Sequence, residues 1–232
     1  MKTKIIHVLC EGQTEQGFVD EVLRPYLLDK GFTSVKSVLV TTNKKENAHG
    51  GMSSYSHARL DLNLMLHSNP DSSFERHLFT TMFDLYALPN DFPGYEEAEY
   101  IEEPYARVNS LEQSYANAVH DSRFIPYIQL HEFEALLFCG IEHLVKIYPK
   151  CKKQCEQLTN DLQKVGNPEL IYNGPTTEPS KRMINAMEGE KQIHYNYNKP
   201  VTGKLVTKEI GIDELRVQCP HFNEWIEQLI NC

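Results

Sequence analysis

The chain has 232 residues, 41% of them hydrophobic, and carries 23 Lys and Arg against 32 Asp and Glu for a net charge of −9. That length buries a real core in one domain, or in one domain with a helical appendage. Each apolar run is about one strand long, far below the roughly 20 residues of a membrane span, and the basic Met1-Lys2-Thr3-Lys4 start leads into a strand pattern. No membrane partner or signal peptide is expected, and the protein should be soluble and cytoplasmic.

In chain order, Lys4 to Cys10 reads as an apolar strand ending at Gly12, and Thr14 to Lys30 as a helix with Thr14 as N-cap and Phe18, Val22, Leu23 and Leu27 at helical spacing. Ser34 to Thr41, with valines at 35, 38 and 40, is a second strand. A polar loop runs through Gly50 and Gly51, and Ser53 to His67 is a helix expected to turn Leu60, Leu64 and Met65 inward. Strand His77 to Phe83 follows, then a long Pro-Gly-Glu loop, a helix over about Arg107 to Val119, and strand Phe124 to Gln129. Strands alternating with helices predict an α/β fold with a mainly parallel sheet. Residues 1–140 form that core, and residues 141–232 form a helical extension packed on it. The extension holds apolar helical segments Glu132 to Cys139 (starting in the core) and Ile141 to Tyr148, and a polar helix Cys151 to Val165. After the Pro/Gly-rich passage Asn167 to Pro179 come short helices near Ser180 to Met187, Thr207 to Leu215 and His221 to Ile230.

Three strand ends present acid. Glu11 closes the first strand and opens, through Gly12-Gln13-Thr14-Glu15, into a helix. A turn glycine with glutamates favoured by the helix dipole explains Glu15, but a carboxylate at the end of a buried strand needs a partner to offset its desolvation. Asp84 closes the third strand; the turn chemistry of Asp84 to Gly94 accounts for it alone, whereas pairing with Glu11 makes it a second metal ligand, with Asp91 folding back as a third. The fourth strand leads into His131-Glu132-Phe133-Glu134, where only one glutamate is expected to face the metal, Glu134 by a small margin. His131 reads as a ligand, a base or, more often in such settings, a hydrogen-bonded core histidine.

The acidity is uneven: residues 145–232 hold 12 Lys and Arg against 11 Asp and Glu, the first 144 residues 11 against 21, with Glu96, Glu97, Glu99, Glu102 and Glu103 in one loop. A lysine-dotted C-terminal half is compatible with phosphate contacts. Lys181 and Arg182, just after a Pro/Gly/Thr passage at a helix start, are the preferred nucleic-acid-binding pair; Lys152 and Lys153 read as a solvated helix face, and Gly50-Gly51-Met52-Ser53 as an anion nest or a glycine loop. Of the six cysteines, Cys151 and Cys155 could join Cys219 and His221 in a zinc site, but the spacing fits no common zinc motif and ordinary reduced thiols are the better reading.

The blocks EGQTE, FDLYALPNDFPG, IQLHEFEALLF, NPELIYNGPTTEPSKR and CPHFNEWIEQL together resemble the bacterial TOPRIM-like family called domain of unknown function 4276, related to TOPRIM nucleases of the overcoming-lysogenization-defect type. The resemblance runs over nearly the whole chain. It implies a TOPRIM-like α/β fold and suggests a nuclease; joined to the strand-end carboxylates this reads as a Mg²⁺- or Mn²⁺-dependent enzyme with Glu11, Asp84 and Glu134 catalytic and Glu11, Asp84, Asp91 and Glu134 on the metal. It also implies an effector subunit of anti-phage defence beside a partner ATPase. The chain departs from the TOPRIM Asp-x-Asp pattern, which is here Asp84-Leu85-Tyr86; a phenol cannot replace that carboxylate at neutral pH. The rival reading is therefore a catalytically inactive nucleic-acid-binding or regulatory subunit, with a small-molecule phosphotransfer enzyme third. A homo-oligomer is compatible with each.

Overall fold

The computed structural model describes residues 2–41, 52–171, 178–189 and 195–232. Gly50 and Gly51, and the middle of the Pro/Gly-rich passage, lie outside the described residues. Strand β1 (Thr3–Cys10) is followed by a helical segment in three parts: α1 (Gln13–Phe18), a π-helical turn (Val19–Leu23) and α2 (Arg24–Asp29). Pro25, near the start of α2, has no N–H to continue the α-helical ladder, and the helix widens just ahead of it. β2 (Phe32–Leu39), α3 (Tyr55–Ser68) and β3 (Glu75–Asp84) come next. A 3₁₀ turn (Leu85–Ala87), α4 (Tyr95–Ala98) and α5 (Pro104–Val119) lead to the two-residue strands β4 (Phe124–Ile125) and β5 (Ile128–Gln129).

The sheet order is β2-β1-β3-β4, with β5 also on β3, and every pairing is parallel. The central strand β3 is buried on seven consecutive residues, as expected of a strand covered on both faces. The sequence's fourth strand is split in two because Pro126, between β4 and β5, has no N–H for the ladder.

Two core clusters cover the two faces. On one side Leu9, Phe79 and Phe83 pack with Leu62, Met65, Val108, Leu111 and Tyr115 from α3 and α5. Of the three residues expected inward, Met65 is buried but Leu60 and Leu64 are exposed, and Ala58, Leu62 and Leu66 complete the buried stripe of α3. Its leucines are spaced so that either stripe satisfies helical periodicity, and the sheet selects one.

On the other face Ile6, Val8, Cys10, Leu78 and Met82 meet Phe18, Leu23 and Leu27 together with the C-terminal helices. Those follow a 3₁₀ run (Phe133–Gly140), where the sequence suggested an α-helix: α6 (Ile141–Ile147), α7 (Lys152–Val165), α8 (Pro179–Glu188), α9 (Lys199–Ile210), α10 (Ile212–Gln218) and α11 (Pro220–Asn231). α9 begins eight residues before the helix read from Thr207, with Asn198 as N-cap and Pro200 in its first turn. From α11, Trp225 stacks on Tyr127 at 4.1 Å and donates its indole N–H to Thr80 Oγ1 on β3 at 2.8 Å. Phe222, Trp225, Ile226 and Leu229 bury one stripe of α11 in this core. No helix among the described residues is long and apolar enough to cross a membrane.

Candidate functional site: an acidic cleft at the carboxyl ends of the strands

The registry of β1 on β3 places Cys10 opposite Met82, so Glu11 and Asp84 leave adjacent strands at the same sheet end. The Glu11 amide still donates to the Met82 carbonyl at 3.2 Å, which fixes its backbone, and the Glu11 carboxylate accepts from the Asp84 N–H at 2.9 Å. Asp84 Oδ1 in turn accepts from the Phe133 amide, also at 2.9 Å. Two carboxylates predicted to meet are thus brought together, each braced by backbone donors.

An open cleft of about 480 Å³ lies over them, lined by Glu11, Gly12, Thr14, Glu15, Asp84, Glu132 and Lys199 among others. The helix starts at Gly12, not Thr14: Glu15 reaches back to accept from the Gly12 N–H at 2.9 Å, half of a capping box, since glycine has no side chain to return the bond. Glu132 also faces the cleft. Its carboxylate receives the Ser180 N–H at 2.8 Å and the Ser180 hydroxyl at 3.0 Å, capping the first turn of α8. Glu134 sits beneath, almost fully buried, paired with Lys199 Nζ at 3.0 Å.

The electrostatics are lopsided. Asp84 is pushed well above the ordinary carboxylate range by burial and then by Glu15, Glu11, Glu134 and Glu132. Burial raises Glu11 to about 7, with neighbouring Glu132 adding to it and backbone amides of Asp84 and Met52 opposing it. Glu15 is raised to about 7 as well, by burial and then by Glu11 and Glu134. Glu134 is raised by burial against the pull of Lys199. Burial works against the Lys199 charge, but Glu134, Glu132 and Asp84 outweigh it and raise its pKa. One cation faces five carboxylates, so the cleft holds protons or needs another positive charge.

Asp91 is placed elsewhere. Its carboxylate accepts from the Tyr55 N–H at 2.9 Å and the Ser54 hydroxyl at 2.8 Å, binding the start of α3, and those bonds pull its pKa down against its slight burial. Arg182 pairs with Asp161 of α7 at 3.1 Å and Lys181 with Glu178 at 2.8 Å; the amide at the start of α8 goes to Glu132 where a phosphate was envisaged. His131, at φ 63° in the left-handed region, is buried and held to about 4 by burial and Arg107, and its ring stacks on Tyr86. Among the described residues, no three His, Cys, Asp or Glu side chains are grouped so as to hold a metal ion in this arrangement. Cys151, Cys155 and Cys219 are buried, Cys219 lying 3.4 Å from Cys139 Sγ.

A family model described as a domain of unknown function (DUF4276) matches residues 10–230. The chain belongs to that family. Comparison with curated proteins finds no match, and comparison with solved structures finds none.

In this DUF4276 protein the sequence left three cleft residues unassigned to the site. Glu15 was explained by capping, which it also performs. Glu132 and Glu134 were treated as alternatives on one helix, but in a 3₁₀ run one lines the cleft and the other supports Lys199 from below. Lys199 carried no signal, being one of several scattered tail lysines. Its helix is brought in by a close approach at Gly203, where a Cβ would come within 2.9 Å of the Phe133 ring and 3.0 Å of Thr14 Cγ2.

Proposed function

We propose that the chain is a metal-dependent phosphodiesterase acting on nucleic acid, of the TOPRIM-like kind its sequence blocks resemble. The observation that carries this reading is the set of buried, mutually repelling carboxylates at the ends of two adjacent parallel strands, where ligands of open α/β sheets bind. The donor chemistry fits a hard divalent cation such as Mg²⁺ or Mn²⁺: oxygen ligands only, an excess of negative charge, and space above them. Glu11 and Asp84 would hold it, with Glu132 or Glu15 completing the set. A bound divalent ion lowers the pKa of water and neutralises a scissile phosphate.

The chain's own groups supply the rest. Backbone donors from Asp84 and Phe133 fix the orientation of the first two carboxylates. Where Glu132 completes the set, Glu15, at the cleft beside Glu11, would take the proton of the attacking water. Lys199, held in place by Glu134, offers its ammonium to a phosphate oxygen at the cleft wall. The resemblance further supports an effector role in anti-phage defence with a partner ATPase.

The test is cleavage of DNA and of RNA by the purified chain, alone and with any ATPase found encoded beside it, under a Mg²⁺ and Mn²⁺ titration. Loss of cleavage in Glu11→Ala supports the reading; cleavage that survives it overturns it. The second reading, an inactive binding or regulatory subunit, is favoured by Tyr86 in place of a carboxylate and by the lack, among the described residues, of a three-ligand grouping.

A further inference from the structure

Beside the acidic cleft lies a second cavity, of about 250 Å³, lined by Leu85, Tyr86, Tyr95, Glu102, Arg107 and His131 together with Pro104. The two are neighbours by covalent connection. The 3₁₀ turn after Asp84 gives Leu85 and Tyr86 to this pocket and Ala87 to the cleft, and on the next element His131 faces the pocket while Glu132 faces the cleft. The Tyr86 N–H donates to the His131 carbonyl at 3.1 Å, so the two walls are pinned together.

The pocket's chemistry is unlike the cleft's. The rings of Tyr86 and His131 are stacked, with centroids 5.7 Å apart and planes at 28°, and Tyr86 is 39% exposed. Arg107 Nε is buried with no hydrogen-bond partner among the described residues. Arg24, Arg123, Arg182 and Arg216 are ion-paired; Arg107, like Arg59 and Arg76, enters no ion pair among the described residues, and of these three it alone lines this pocket. An aromatic face and a guanidinium lining one pocket form the pairing by which proteins take a nucleobase and a phosphate of one strand. The volume, roughly that of eight waters, suits one such unit and not a duplex.

We propose that this pocket is a subsite for a single nucleotide unit of a nucleic-acid strand, its base on Tyr86 and its phosphate on Arg107, next to the phosphate bound in the acidic cleft. It rests on the phosphodiesterase reading of that cleft. Glu102, at the pocket wall, is an acceptor for a base N–H and keeps the phosphate on the Arg107 side. The residue that breaks the Asp-x-Asp pattern is in this reading a recognition residue: what the metal site lacks at position 86, the substrate subsite gains.

The experiment is equilibrium binding of the full chain, with Ca²⁺ in place of Mg²⁺, to a fluorescein-labelled thymidylate decamer, to a decamer of abasic units, and to thymidine monophosphate as competitor. The decamer is expected to bind about tenfold tighter than the abasic strand; Tyr86→Ala removes that preference and Tyr86→Phe keeps it. Arg107→Ala weakens both strands and lowers the slope of log affinity against log salt by about one. No binding by the wild type, no base preference, a preference that survives Tyr86→Ala, a salt slope indifferent to Arg107→Ala, or a monophosphate competing as well as the decamer each overturns the subsite. A chain that binds in the expected pattern but cuts nothing, with or without an ATPase partner, upholds the subsite and sinks the phosphodiesterase reading. A chain that cuts while its binding ignores Tyr86 and Arg107 does the reverse.

Discussion

Two groups of buried acid in this molecule are built in opposite ways. Glu169 is fully buried and surrounded by donors: the amides of His221 and Phe222 at the start of α11, at 3.1 and 2.9 Å, and the Tyr105 hydroxyl at 3.0 Å, which itself receives Asn167 Nδ2 at 2.7 Å. Next to it His221 pairs with Glu112 at 3.1 Å. In the cleft the carboxylates face one another, with Lys199 as the cation among them. A buried carboxylate with a full set of donors is a structural joint, here fastening α11 to α5 and to the turn at Pro168–Leu170. Carboxylates that repel one another cost stability, and such a cost is tolerated where a ligand relieves it.

The largest effect should come from emptying the cleft of charge. Glu11→Ala and Asp84→Asn are each expected to lower Mg²⁺- or Mn²⁺-dependent cleavage by at least about a hundredfold. Asp84→Asn should at the same time raise the melting temperature of the metal-free chain at pH 8, by roughly 2–4 °C per kcal/mol of repulsion relieved. A melting temperature that falls instead would mean that Asp84 is a joint like Glu169, and the contrast would fail.

The complementary change is Glu169→Ala. It strands two buried amides and a tyrosine hydroxyl, and should cost about 3 kcal/mol in a denaturant titration with no change in metal affinity. A loss below about 1 kcal/mol would show that water replaces the carboxylate and that the joint is weaker than its geometry suggests.

The pH dependence separates the two groups more finely. Glu11 and Glu15 have folded-state pKa values raised to about 7, so the native chain retains protons there that the unfolded chain releases near the ordinary value of 4.5. Their penalty is absent below about pH 4.5, grows as pH rises towards 7 and is then constant. Stability of the metal-free chain should therefore fall over that interval, with Asp84, Glu134 and Glu169, also raised by burial, adding falls of the same sign, and Glu11→Gln with Glu15→Gln should lessen the fall. His221 contributes a fall of its own: its raised pKa gives stability that is complete below the ordinary 6.5 and lost as pH passes the raised value. Glu112→Gln should remove only that upper part. Divalent ions should oppose the cleft's share and not the share of His221.

The smallest effect is expected on the surface. Lys181 is half exposed, so Lys181→Ala should change stability by less than about 1 kcal/mol, whereas Arg182, only 16% exposed and paired with Asp161, should cost more when replaced. If they touch the phosphate backbone, the salt slope of strand binding falls by no more than about two. An unchanged slope makes them a solvated helix edge, and leaves strand contacts to Lys199 and Arg107.

The alternation of strand and helix patterns in the first 130 residues was sufficient for a parallel α/β sheet, because a buried parallel strand has to be apolar and a crossover helix has to be amphipathic. The pairing of Glu11 with Asp84 was legible too, since both stand at strand ends and a parallel sheet puts those ends on one side. Periodicity could not choose the inward stripe of α3, where Leu60 and Leu64 lost to Leu62 and Leu66, nor detect the start of α9 at Lys199, where the apolar pattern is faint. Nor could it foresee that Glu132 and Glu134 serve different roles, that Asp91 is drawn off to α3, or that Tyr86 and His131 meet in a pocket that Arg107 also lines. Those outcomes depend on contacts between residues tens to more than a hundred positions apart, and spacing along a chain carries no term for a neighbour brought in by the fold.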